Sequence, residues 1–550
     1  MAEPRSAVTE TRQAGLARLA HWLDDRLGLA EVGPQAALLI LLFSLALVLN
    51  LWTMSQGWGN PLLDMHDFRQ TQTAITVDSM LRGGPLLAYE IPVFGPPWAL
   101  PFEFPLFQWL VAGLVRLTGA PIDQAGRLIS AAFFYLSLGP AYALLGALGL
   151  RRSHRLVFLI LLLTSPLYLF WSRTFMIESC AVFLGLTFLA ALAAFLREAK
   201  PDALALAILA GSLAASVKVT TYFGIGLAAG LLILQHAWPA RRRWGAWDKA
   251  WRPLALAMTA AAVPLLVNQL WTAYADAVKL HNPIGATLTS SALLEHWILG
   301  PLSLRTSAEL WRTILVRMLP DVLGYPYLLL LMLPMLLYAG LRQPRLARLS
   351  LASGLLFLAP ILVFANLHLI HNYYQYAVGL FLLASAGFLI VAFLRTEGLA
   401  GWTGVLLLVL FASIGLVRYR AVWLPVQRQD TRQGPIMETA LTARDLTEAD
   451  EIVLIAGFAW DPAFAYYADR RALMLPVWLE WDGPEFQRAF AHLERERTGA
   501  LMVCRAERDA QGEVGGWRSD LGMSSRPAAS TELCDLYLPE GDDGVTAGWP

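Results

Sequence analysis

Residues 34–52 read PQAALLILLFSLALVLNLW, without one charged side chain between Pro34 and Trp52. A helix rises 1.5 Å per residue, so about 20 apolar residues cross the ~30 Å hydrocarbon core of a bilayer. Comparable runs follow at Gln124–Leu150, His154–Trp171, Phe175–Leu196, Ala203–Val217, Tyr222–Gln235, Pro253–Leu270, Val322–Leu341, Leu349–His368, Tyr374–Leu394 and Trp402–Val417. Together they predict about eleven spans, with Ala203–Val217 and Tyr222–Gln235 short for a full crossing.

The rest of the composition agrees. The 550 residues are 57% hydrophobic and 15% charged, against about 25% charged in an ordinary soluble domain. Of the 20 Trp and 16 Tyr, many lie near predicted span ends, as expected for interfacial belts. The formal net charge of +0 says nothing about a nucleic-acid partner, and none is expected. The fold class expected is an all-α polytopic membrane protein with a small external α/β domain at its carboxyl end.

Basic residues in short loops orient the spans. The loops are Arg151–Arg155, Arg197–Lys200, Arg241–Arg252 and Arg342–Arg348, and by span count all four share one side with the amino terminus. That side is assigned to the cytoplasm of a cell (inner) membrane. The external side then receives loops 54–123 and 271–321, the turns at Ser172–Thr174, Val217–Thr221 and Leu369–Asn372, and residues 430–550. Residues 1–30 lack the basic–apolar–small pattern of a secretory leader, and residues 1–33 precede the first span. Leu16, Leu19, Leu23 and Leu27 instead predict a cytoplasmic amphipathic segment. Residues 34–420 form the transmembrane domain and 430–550 a soluble α/β domain, from strand-like runs at Glu451–Ala456, Ala500–Cys504 and Leu533–Leu538. Cys504 and Cys534 both lie in that domain, and an external compartment permits a disulfide between them.

The external loops carry the chemistry. His66-Asp67-Phe68-Arg69-Gln70-Thr71-Gln72 opens a helix that places Asp67, Thr71, Ala74 and Asp78 on one face and stops at Gly83-Gly84. Glu103-Phe104-Pro105 precedes Leu106–Leu117, which is too short for a span and reads as interfacial or re-entrant. Arg173 and Glu178, Lys218, His281, and His371-Asn372-Tyr373-Tyr374 fall on the same side. Ionisable groups at membrane depth are costly and usually functional or paired. The plainer alternatives are an Arg173–Glu178 pair, a snorkelling Lys218, a capping His371, and belt aromatics at Tyr373 and Tyr374. Glu103, His281 and His371 are the candidates for a divalent metal, although no metal-binding spacing motif is present.

Four motifs occur in order: the acidic external helix; Glu103-Phe104-Pro105-Leu106 before an apolar stretch ending at Gly119; Ser172-Arg173 with Glu178 five residues on; and His371-Asn372-Tyr373-Tyr374-Gln375-Tyr376 after Lys218. This order resembles the polyprenyl-phosphate-sugar-dependent glycosyltransferases of the GT-C fold, the protein mannosyltransferase and aminoarabinose transferase superfamily, over roughly residues 34–420. The resemblance implies transfer of a sugar from a polyprenyl-phosphate donor to a hydroxyl of a lipid, protein or glycan acceptor, with inversion. Asp67 is then the base and Glu178 the second acid. Arg69, Gln70, Glu103, Arg173, Lys218, His281, His371, Tyr373 and Tyr374 are substrate-binding. Two departures stand out: the family's Asp-Glu-x-x-Tyr is His-Asp-Phe-Arg-Gln-Thr-Gln here, and its Glu-Lys-Pro-Pro has Phe104 for Lys. The competing readings are a lipid or sugar transporter or flippase, and a noncatalytic or ligase- or polymerase-like relative of the same architecture. Transporters place charge near the midplane of inverted repeats, and neither feature is visible.

Overall fold

In the computed structural model the apolar runs become helices, because only a helix satisfies every backbone polar group within its own segment of a bilayer. The structure describes residues 34–241, 247–476, 478–495, 497–504, 518–519 and 521–540. The amphipathic segment expected over residues 1–33 lies outside them. Among the described residues, eight helices are long and apolar enough to cross a membrane. The chain is a multi-pass membrane protein.

Three of the runs read as spans take other forms. His154–Trp171 divides into Arg152–Thr164 and Pro166–Trp171, with Ser165 extended between them. Pro166 has no N–H to continue the ladder and disfavours a helical residue before it. Pro201–Val217 is a single 17-residue helix. Val322–Leu341 belongs to a pair, Ala308–Leu323 and Leu328–Arg342, bent by 73°. Gly324 makes that bend at φ +92°, and a Cβ there would lie 2.8 Å from the backbone of Ile414 and Gly415.

The external helix spans Asp67–Leu81 and ends as its glycines predict, with the Gly84 N–H donating to Ser79 O at 2.9 Å. It is not a solvated surface helix. Gln70 through Val77, Ser79 and Met80 are all buried. Its polar residues tolerate this because they bond locally. The hydroxyls of Thr71, Thr73 and Thr76 donate to the carbonyls of Asp67, Arg69 and Gln72 at 2.7, 3.0 and 3.0 Å.

Helices Leu106–Thr118 and Ile122–Ala147 cover the helix together with helix Pro462–Ala468 of the carboxyl-terminal domain. That domain's five strands are β1 (Ile452–Ala456), β2 (Arg471–Met474), β3 (Thr498–Cys504), β4 (Ala529–Ser530) and β5 (Cys534–Tyr537), in the order β2-β1-β3-β5-β4. The first three are parallel, and β5 runs antiparallel to β3 and β4. Cys504 and Cys534 are disulfide-bonded partners across β3 and β5.

Loop 54–123 extends this sheet. The N–H groups of Ala472 and Met474 donate to Pro92 O and Val93 O at 2.9 Å, and Phe94 bridges Leu473 antiparallel. Two further ties hold the domain down. The hydroxyls of Tyr466 and Tyr467 donate to the two carboxylate oxygens of Asp123 at 2.6 and 3.0 Å. Arg82 pairs with Asp469.

Candidate active site

Chain breaks deliver the charges. Glu178 is the first residue of helix Glu178–Glu198, where the positive end of the helix dipole favours a carboxylate. Lys218 is the extended residue between helices Pro201–Val217 and Val219–Arg241, so its side chain leaves at a gap. The two form an ion pair whose side chains are 4% and 9% exposed. The same ammonium lies 4.3 Å from the Tyr374 ring centroid and 4.9 Å from that of Tyr373, a cation–π arrangement strengthened by desolvation.

A second pair faces the first. Arg69 Nη2 lies 2.8 Å from Glu103 Oε1, and Arg69 Nη1 donates to Gln72 Oε1 at 2.5 Å. Tyr89 fixes the Glu103 backbone: its hydroxyl donates to Glu103 O at 3.1 Å and accepts from Phe102 N–H at 2.7 Å. The charges of Arg69 and Glu103 reach Lys218, Tyr373 and Tyr374, so the two pairs act as one electrostatic cluster. Asp67 begins the helix that carries Arg69, and its carboxylate accepts from Phe68 N–H at 2.9 Å.

His66 joins the cluster through its backbone. At φ 54° it occupies the left-handed region and caps the helix, its carbonyl accepting from the N–H groups of Arg69 and Gln70. Its ring lies 5.0 Å from Tyr373, 5.4 Å from His371 and 5.7 Å from Trp171. Burial holds the His66 imidazole below its ordinary pKa, against a hydrogen bond with Asn372. Burial first, then the charges of neighbouring groups including Lys218, Arg69 and Arg317, pushes His371 down to about 3. Glu178 Oε2 and His371 Nδ1 are buried without a hydrogen-bond partner among the described residues.

Three of the residues read from the sequence sit elsewhere or serve otherwise. Arg173 does not pair with Glu178. It is buried on the far side of the turn, donating to Gly57 O at 3.0 Å, near Asp64 and Arg127. Gln70 is spent on the protein, bonding Asp64, Met65 O and the Phe175 N–H. These bonds tie the acidic helix to the turn before Glu178. His281 is outside the cluster: its Nδ1 meets the carbonyls of Ala277 and Val278, and it lines a separate surface cleft with Glu485, Arg488 and His492. Lys279, two positions earlier on the helix end, is the residue that turns inward, 4.9 Å from the Phe102 ring and 2.7 Å from Asp276. Among the described residues no three His, Cys, Asp or Glu side chains converge on a metal site, so Glu103, His281 and His371 are not a ligand set.

His66, Lys279 and Arg317 were not singled out from the sequence. Arg317 donates to Leu369 O at 2.8 Å and to His368 O, bracing the turn before His371. A lone arginine within the apolar residues 314–319 was the available signal.

No protein-family profile matches the chain, and no curated protein matches it by sequence. Solved structures do match by shape. ArnT from Cupriavidus metallidurans bound to undecaprenyl phosphate superposes with TM-score 0.59 at 15% identity, over 91% of this chain and 98% of that one. Its apo form gives 0.57 at 16%, over 92% and 98%. The archaeal oligosaccharyltransferase AglB from Archaeoglobus fulgidus, in complex with an inhibitory peptide and a dolichol-phosphate, gives 0.52 at 11%, over 85% and 69%. The chain has the GT-C fold.

Proposed function

We propose that this chain is a membrane glycosyltransferase, moving a sugar from a polyprenyl-phosphate donor to an acceptor hydroxyl on the external, periplasmic face. One observation carries the reading. One buried and one half-buried ion pair and two tyrosines gather at a single end of the span bundle, in a fold whose solved examples include one bound to undecaprenyl phosphate and one holding a dolichol-phosphate.

The chemistry follows from the residue types. The acceptor oxygen forms a bond to the anomeric carbon as the bond from that carbon to the phosphate oxygen breaks. The electron pair leaves with the phosphate, giving free polyprenyl phosphate. A phosphate is already a good leaving group, so cations beside it suffice. Lys218 and Arg69 supply charge-assisted hydrogen bonds as charge builds up. Asp67 takes the acceptor proton, a contribution typically of about 10²–10⁴-fold. A single displacement inverts the anomeric centre, as in inverting glycosidases. Glu178 holds Lys218 in place and keeps Oε2 for a sugar hydroxyl. A lipid-borne donor arrives within the bilayer, which accounts for a site at the span ends.

The test uses membranes from a strain lacking the protein, which supply both donor and unmodified acceptor. Adding the purified full-length chain should consume a polyprenyl-phosphate sugar, release polyprenyl phosphate and add a sugar mass to one acceptor, all by mass spectrometry. No change in any lipid-linked sugar would refute the reading.

A further inference from the structure

The carboxyl-terminal domain sets an aromatic side chain, Trp460, against residues that adjoin the site in the chain. In a parallel sheet, functional loops leave the carboxyl ends of strands at the point where the strand order reverses. Among the three parallel strands β1 lies between β2 and β3, so the loop after β1 stands at that point. It holds Gly457 at φ 110° and Ala459 at φ 50°. Left-handed conformation at a non-glycine residue persists only where the surroundings enforce it. The loop delivers Trp460, and helix Pro462–Ala468 begins two residues later.

The Trp460 ring lies 4.6 Å from Phe68 at 88°, 5.2 Å from Phe94 at 32° and 6.1 Å from Phe102 at 29°. Edge-to-face and offset contacts at these separations are favourable. Phe68 stands between Asp67 and Arg69, and Phe102 directly precedes Glu103. The indole therefore packs on the residues that adjoin Arg69 and Glu103 in the chain, the two partners of the 2.8 Å ion pair. Phe94 lies in the segment that extends β2, so the same sheet carries both the wedge and one of its walls.

We infer that Trp460 is a positioning residue for the site, setting the start of helix Asp67–Leu81 against Glu103 from the soluble domain. The inference rests on the glycosyl-transfer reading for its kinetic consequence. An aromatic wedge of this kind acts on orientation: misplacement of reacting groups by ~1 Å can cost about 10²-fold in rate. Of the two cations proposed at the lipid phosphate, Arg69 lies on this helix and shifts with it, whereas Lys218 lies between two other helices and stays in place.

The test compares full-length wild type, Trp460→Ala, Trp460→Phe, Phe68→Ala and the double variant in the membrane assay above. Binding of undecaprenyl phosphate and the thermal midpoint are measured alongside. Trp460→Ala should transfer about 10–100-fold more slowly, with a clearly smaller loss of undecaprenyl phosphate affinity, because Lys218 is untouched. Trp460→Phe should restore most of the rate. Phe68→Ala should behave like Trp460→Ala, and the double variant should be no worse than either, because both remove one contact. Trp478→Ala, in the same domain but away from the wedge, should transfer normally. Wild-type rates in Trp460→Ala or Phe68→Ala would overturn the inference, as would equal loss of rate and binding without rescue by Phe. Should Trp460→Ala not fold, Phe68→Ala and Trp460→Phe decide. Wild-type chain inactive in the assay would refute the transferase reading instead. The wedge is then read from amide hydrogen exchange, which should quicken over residues 68–72 in Trp460→Ala relative to wild type, and unchanged exchange there would overturn it.

Discussion

Lys218 and Glu178, forty residues apart in sequence, form a buried ion pair at the junction of three helices. Removing one partner of such a pair strands the other charge out of water, which costs ~3–5 kcal/mol, whereas replacing both with apolar groups is often nearly neutral. Lys218→Met should therefore lower the thermal midpoint sharply in detergent. The Lys218→Met/Glu178→Met double variant should regain most of that midpoint and still fail to transfer sugar. Recovery of transfer along with stability would show that the pair is scaffolding only.

Asp67→Asn keeps the side chain's size and its hydrogen bond from the Phe68 N–H but removes the base. Transfer should fall by about 10²–10⁴-fold, while the thermal midpoint and binding of undecaprenyl phosphate hold steady. An unchanged rate would move the base elsewhere in the loop.

Acid should loosen the site through His66 and His371. Burial lowers both pKa values from 6.5, His371 to about 3. Each ring is thus bound more readily by protons in the unfolded chain than in the folded one. The stability tied to the neutral rings is complete above pH 6.5 and is lost progressively as pH falls from there towards 3. A protonated pair 5.4 Å apart, facing Arg69, Lys218 and Arg317, would also repel. The thermal midpoint should drop between pH 7 and pH 5, and His371→Phe should flatten that slope. A slope identical to wild type would exclude His371 as a contributor.

Asp123 receives both of its hydroxyl donors from the soluble domain, Tyr466 and Tyr467. Removing both by Tyr466→Phe/Tyr467→Phe leaves a partly buried carboxylate short of donors, at a cost of ~1–3 kcal/mol. The rings remain, so the packing survives. Limited proteolysis should then cut between residues 425 and 435 faster than in wild type. Cleavage at the wild-type rate would mean that Arg82–Asp469 and the sheet extension hold the domain alone.

The membrane domain was legible because hydropathy and helix length are properties of one segment at a time. Pro34–Trp52 needs no partner to be recognised as a span. The breaks were less legible: Pro166 and Gly324 are visible as residues, but whether a proline kinks or divides a helix depends on what packs beside it. Arg69, Glu103, Glu178, Lys218, His371, Tyr373 and Tyr374 do gather in one cluster, and Asp67 begins the helix that carries Arg69. Pairing was illegible. Proximity in sequence favoured Arg173 for Glu178, yet Arg173 turns towards Gly57 and Lys218 comes in from two helices away. His281 failed for a similar reason: at a helix end, a step of two residues reverses the facing, and Lys279 took the inward place.

The sheet extension has a bearing on biogenesis. Residues 92–95 pair with β2 at residues 472–474, strands separated by roughly 380 residues of chain. At about 5–20 residues per second of synthesis, the earlier strand waits some 20–75 s for its neighbour to be made. During that wait the Glu103 loop has emerged but lacks the edge that shapes it. The acid-bearing loop is therefore among the last parts of the molecule to be completed, and a chain cut short before β2 leaves a membrane bundle with an unfinished site.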